Sequence, residues 1–155
     1  MAANLLSLNV QKYRPPVMPD EAGKLLVSDG SIEVTVAGTA INSTIGLCVL
    51  PARCIPVDFT LVSDELDTHG TSEITLSVGV LDTAGTALLA DTNLLTENTL
   101  AQAGGYARAT AFPTAVITPS DADRVIAAFA VAGAATGAIG TLRGILTYRS
   151  EEYGA

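Results

Sequence analysis

Residues 46–81 read GLCVLPARCIPVDFTLVSDELDTHGTSEITLSVGVL, and this stretch decides the fold. Successive side chains of an extended chain point to opposite faces, so alternation of apolar with polar residues marks a strand with one side on a core. Ile55, Val57, Phe59 and Leu61 fall on one side, with Pro56, Asp58 and Thr60 on the other. Ile74, Leu76, Val78 and Val80 repeat the pattern against Glu73, Thr75, Ser77 and Gly79. The unit is predicted to be strand, corner at Pro51, strand, polar loop, strand. That is architecture, not chemistry.

Outward from this unit the same rhythm continues. Ser28-Asp29-Gly30 gives a turn signal, Ile32, Val34 and Val36 alternate with Glu33 and Thr35, and a further strand is expected from about Ile41 to Leu50. Asp82-Thr83-Ala84-Gly85 predicts another turn, followed by a short strand over Thr86 to Leu89. In Asp91 to Gly105, Leu94, Leu95, Leu100 and Ala101 recur at helical spacing before Gly104-Gly105, so one short helix or a long loop is expected there. Tyr106 to Phe112 resumes an extended pattern, and Ser120-Asp121-Ala122-Asp123 predicts a turn. Val125 to Leu142 carries no charge over 18 residues. That touches the lower limit for a membrane span, but the run is dominated by Ala, Gly and Thr, whose transfer to hydrocarbon is weakly driven. Two buried strands joined through residues 133–137 fit it better, with Val125, Ala127, Phe129 and Val131 alternating with the smaller set Ile126, Ala128, Ala130 and Ala132. The last strand, Thr141 to Arg149, sends Leu142, Leu146 and Tyr148 one way and Thr141, Arg143, Thr147 and Arg149 the other.

The sum is an all-β chain: a jelly-roll-like antiparallel β-sandwich of about eight strands, with one short helical insertion. Residues 26–150 form its single domain and 151–155 a tail. Residues 1–25 lack a clean period and contain Pro15, Pro16 and Pro19, which remove backbone donors and favour extended conformations. They read as an extended arm outside the core. Its Leu5, Leu6, Leu8, Val10, Tyr13, Val17 and Met18 are more apolar than a solvated tail requires, and with Arg14 they are candidate contacts to a partner.

A chain of 155 residues is long enough to bury about 70% of the surface its unfolded form exposes, without a metal or disulfide to hold it. The net charge of −8 and the scattering of eight Lys plus Arg argue against a nucleic-acid partner, since phosphate binding needs a clustered cationic surface. The opening MAANLLSLNVQKYRPP has no basic lead, and its LLSL core is short for a signal peptide, so synthesis and retention in the cytoplasm are expected. Cys48 and Cys54 flank the Pro51 corner and could face each other across a hairpin. Reduced thiols packed as small hydrophobes are the reading for a cytosolic chain.

For catalysis a base must stand beside a nucleophile, and His69, the lone histidine, sits in a polar loop with no partner arguable from the sequence. Asp64, Glu65 and Asp67 cluster in that loop, and oxygen ligands are what calcium takes, but the spacing is not that of a calcium loop. A solvated acidic loop is expected, and these three residues join the candidate partner contacts. Gly137-Ala138-Ile139-Gly140 lacks the lysine of a phosphate loop. No cofactor or metal site and no membrane span are expected.

Across LPARCIPVDFTLVSDELDTHGTSEITLSVGVLD (residues 50–82) the chain resembles small structural proteins of tailed bacteriophages. The resemblance extends to TPSDADRVIAAFA (118–130) and GTLRGILTYRS (140–150), and so spans roughly Lys24 to Ser150. It implies a non-enzymatic virion protein, of the kind that sits on the capsid surface as a cement or decoration subunit. Its implied partners are itself, with a trimer favoured, and the major capsid protein. A head-tail joining or tail subunit, or a β-sandwich that binds host glycans, would use the same features.

Overall fold

The computed structural model describes residues 4–6, 25–109 and 117–150. Within them the alternating segments form nine strands: β1 (Asn4–Leu6), β2 (Leu26–Val34), β3 (Thr44–Leu50), β4 (Cys54–Ser63), β5 (Thr75–Val80), β6 (Leu95–Asn98), β7 (Gly105–Arg108), β8 (Arg124–Ala132) and β9 (Gly140–Ser150). Two short 3-10 turns, Val36–Thr39 and Leu100–Gln102, complete the regular structure. No helix among the described residues is long and apolar enough to cross a membrane.

The strands make two sheets, one in the order β2-β9-β4-β7 and one in the order β1-β3-β8-β5-β6. Strand β2 pairs with β9, β3 with β8, β4 with β7 and β5 with β6, all antiparallel. The chain from β2 to β9 is thus one long hairpin, and the β4–β9 and β5–β8 pairings wrap it into two four-stranded sheets, which is a jelly roll. The ninth strand is β1, which pairs in parallel with β3 along Asn4↔Thr44, Leu5↔Ile45 and Leu6↔Gly46. This piece of the amino-terminal segment therefore joins the chain's own sheet instead of standing clear of it. Leu8, Val10, Tyr13, Arg14, Val17 and Met18 lie outside the described residues.

Burial follows the pleat with two informative departures. In β4 the pairing slips between Pro56 and Asp58, leaving Val57 as an extra residue. Pro56 has no N–H for a ladder, so a bulge beside it is a physically sensible place for the irregularity. The bulge flips the inward parity: Cys54 is buried before it, Phe59, Leu61 and Ser63 after it, while Val57 is 39% exposed and Ile55 only half-buried. The alternation expected for Ile55 and Val57 is therefore corrected. In β8 it is Ile126, Ala128 and Ala130 that face the core, and Val125, Phe129 and Val131 on the other side are half-buried. The small side chains leave room for Phe59, Leu61, Leu142, Leu146 and Tyr148 of the opposing sheet, all members of the same apolar cluster.

The sheets approach closely where β9 crosses β3. A methyl group on Gly144 would stand 2.9 Å from Leu47 Cβ and 3.0 Å from Cys48 Sγ. The Cys48 thiol donates to the Gly144 carbonyl at 3.1 Å, and burial pushes its pKa up to about 12. Neither Cys48 nor Cys54 is in a disulfide, and both are buried. All seven residues of β3 are buried, and at its start Thr44 Oγ1 donates to the Gly85 carbonyl of the 81–94 loop at 3.0 Å.

The strand expected over Thr86 to Leu89 is absent: Leu88 makes a single bridge to Leu81. Asp82 explains this, because its Oδ1 accepts the amides of Thr86 at 2.8 Å and Ala87 at 3.3 Å, diverting them from a ladder. In place of one helix over 91–105 the chain forms β6, then the 3-10 turn Leu100–Gln102, then Gly104 at φ +75. A glycine there carries the left-handed backbone that ends the turn and starts β7.

Candidate functional site

A jelly roll gathers its loops at two ends, and the two ends differ in chemistry. One end consists of residues 35–43, 64–74, 99–104 and 133–139. These loops are sewn together by backbone and side-chain bonds: Leu66 N–H donates to Ala101 O at 2.8 Å, Ala138 N–H to Leu66 O at 3.0 Å, Thr68 N–H to Thr136 O at 3.0 Å and Ala134 N–H to Thr39 O at 2.9 Å.

Asp67 is the centre of that seam. Its residue is 0% exposed, and its carboxylate accepts five backbone N–H groups. Oδ1 takes those of His69 and Thr136, both about 3 Å away; Oδ2 takes Glu73 at 2.8 Å, Ala135 at 3.0 Å and Ile74 at 3.3 Å. Burial would raise its pKa, but the amides of Glu73, Thr136, Ala135 and His69 outweigh it and hold the carboxyl well below the usual range. Asp67 thus ties the 67–74 loop to the 133–137 loop from inside.

Asp64 and Glu65 are exposed, as a solvated acidic loop predicts, and Asp67 is not. Asp64 Oδ2 accepts the Thr141 amide at 2.8 Å. With five N–H donors already on the Asp67 oxygens, the three carboxylates do not form a cation cage. Among the described residues no group of three or more His, Cys, Asp or Glu is placed to hold a metal ion. His69 is exposed, with its Nδ1 engaged locally by Thr71.

At the opposite end a cleft of about 590 Å3 lies between the 81–85 turn, Leu89 and residues 120–125. Its acids are occupied: Asp82 by Thr86 and Ala87, and Asp123 Oδ1 by the Ala52 amide at 2.9 Å. Ser120 Oγ accepts from Ala122 N–H at 3.2 Å, with no histidine in the lining. Arg124, in the same lining, has Nε and Nη2 buried without a hydrogen-bond partner, and burial lowers its pKa. The cleft brings no nucleophile beside a base.

The outer face of the β2-β9-β4-β7 sheet is the third surface. Arg143 pairs with Asp29, and Arg108 Nη2 with Asp58 at 2.7 Å, each pair lying across neighbouring strands. Tyr106, 77% exposed, stands beside Val62 in register on β7 and β4. Sequence reasoning missed the apolar residues that the loops expose at the first end, Val36, Ile41 and Ile139, because loop residues have no period from which exposure can be read.

These features describe a jelly roll whose loop end is tied together through Asp67 and whose described cleft brings no nucleophile beside a base. The comparisons agree. No family model matches the sequence. No curated protein matches it either. Among solved structures, a chain of the capsid of Ralstonia phage GP4 is 32% identical, with a TM-score of 0.84, over 96% of this chain and 98% of that one. A chain of the cyanophage Pam1 capsid asymmetric unit is 34% identical, with a TM-score of 0.66, over 83% of this chain and 86% of that one. The chain belongs to this family of phage capsid proteins and is a virion structural protein.

Proposed function

We propose that this protein is a cement or decoration subunit that self-associates on the outside of the capsid and binds the major capsid protein, stabilising the shell. The observation that carries this reading is the chain-long similarity to a chain of a phage capsid, with nearly all of both chains aligned. Charge supports the outer position: a subunit of net charge −8 is repelled by packaged nucleic acid, whose phosphates attract cationic surfaces. A trimer is the favoured order of self-association, and the amino-terminal segment with Leu8, Val10, Tyr13, Arg14, Val17 and Met18 supplies further contacts. The test compares particles with and without the chain. Particles lacking it should assemble but release their genome at lower temperature, and adding the purified protein should restore resistance. Particles that fail to assemble without it, or whose thermal release does not change, contradict the reading.

A further inference from the structure

The loop end described above has an unusual composition for a surface. Val36, Ile41 and Ile139 are 54%, 56% and 64% exposed there. Single exposed apolar residues are ordinary, but these three lie on loops that pack against each other. A methyl on Gly137 would stand 3.2 Å from Val36 Cγ1, one on Gly133 would stand 2.8 Å from the Ile41 nitrogen, and Ile139 follows Gly137 by two residues.

Among the described residues, the charges carried by and next to these loops have one sign. Glu33, Asp64, Glu65 and Glu73 are exposed, and residues 35–43, 64–74, 99–104 and 133–139 contain no Lys or Arg. An apolar centre inside a charged rim is the anatomy of an interface. The Asp67 seam holds these loops in place beforehand, so little ordering is left to oppose binding.

We propose that this end is the surface that meets the capsid shell, and that the site it occupies is apolar and framed by Lys or Arg side chains. The proposal rests on the shell-binding reading above and names the face that does the binding. Charge decides the partner. The same end of a second copy would bring four carboxylates against four, and like charges across an interface are repulsive. Among the described residues of a second copy, Arg53, Arg108 and Arg143 are each already bonded to an aspartate, and Arg149 is the exposed arginine outside those pairs. A basic surface on a different chain is what this acidic rim complements.

The experiment uses full-length protein and shells of the major capsid protein assembled without it, with bound protein measured after sedimentation. Val36→Asp and Ile139→Asp place a charge at the centre of the contact, and because both side chains are exposed, both variants should melt near wild type. Each should weaken binding by about tenfold or more. Tyr106→Asp, on the outer face of the sheet, should bind as wild type does. Wild-type binding should also weaken as salt rises, because screening removes the rim's attraction. Binding of both loop variants within about twofold of wild type, or an equal loss in Tyr106→Asp, overturns the assignment of the face alone. Wild-type protein that does not bind the shells at all overturns the shell-binding reading together with it.

Discussion

Replacing Gly144 with alanine measures how tightly the two sheets are pressed together. The backbone of Gly144 is not in the left-handed region, so alanine is conformationally allowed. By itself that change would stabilise the fold by about 0.4–1 kcal/mol, through lost freedom of the unfolded chain. Against it stands the new methyl, 2.9 Å from Leu47 Cβ, 3.0 Å from Cys48 Sγ and 3.2 Å from Leu47 Cδ1. A Cβ is fixed by the backbone, so β3 and β9 must move apart by several tenths of an ångström. Overpacking of this kind costs about 1–3 kcal/mol, which exceeds the entropic gain. For a chain of 155 residues each kcal/mol lowers Tm by about 3 °C, so net destabilisation of about 1–2 kcal/mol is a fall of about 3–6 °C. Thermal unfolding followed by circular dichroism reads this directly. Leu47→Ala alone should cost about 2–5 kcal/mol, and the double variant should cost close to the sum, because alanine keeps the Cβ at 2.9 Å and only the 3.2 Å contact with Leu47 Cδ1 is relieved. A Gly144→Ala variant that melts at or above wild type would refute the close packing.

Further predictions follow from the same geometry. Phe59→Ala should cost about 3–5 kcal/mol, whereas Val57→Ser, two residues away but on the exposed bulge, should change stability by less than about 0.5 kcal/mol in denaturant titrations. Equal costs would deny the bulge. Asp67 has a folded-state pKa below its unfolded value, so its contribution is complete above the unfolded pKa and is lost as pH falls through the folded one. The Tm gap between wild type and Asp67→Asn should thus be flat near neutrality and narrow below about pH 4; a gap constant down to the acid limit would contradict the seam. At pH 8 a thiol reagent should leave Cys48 and Cys54 unmodified in the folded protein and label both after denaturation, since both are buried. Rapid labelling of native protein would contradict their placement.

Much of the sandwich was legible because period-two alternation reports which side of a strand is buried. Strand β9 shows this most simply, with Leu142, Leu146 and Tyr148 inward and Thr141, Arg143 and Arg149 exposed. The failures have local causes. Alternation cannot register the extra residue at Val57, so parity was misread on its amino-terminal side. In β8 alternation left open which set faces the core, since space in a sandwich is shared and small residues on one sheet accommodate large ones on the other. The short helix that leucine spacing offers within 91–105, with a long loop as its alternative, yields to tertiary pairing of Leu95 with Val78. At the candidate site the acidic loop was visible, yet nothing in its composition separated Asp67, enclosed by five amides, from exposed Asp64 and Glu65. Burial of a carboxylate depends on donors that come from far along the chain, here from Ala135 and Thr136.

The central claim, that this jelly roll is a structural component of a phage particle, is tested most directly by electron cryo-microscopy of the intact virion. The account predicts density for the sandwich at fixed, symmetry-related positions on the shell, with side-chain features that accept the sequence from Leu26 to Ser150. A resolved particle in which no density accommodates this chain, in capsid or tail, would contradict it.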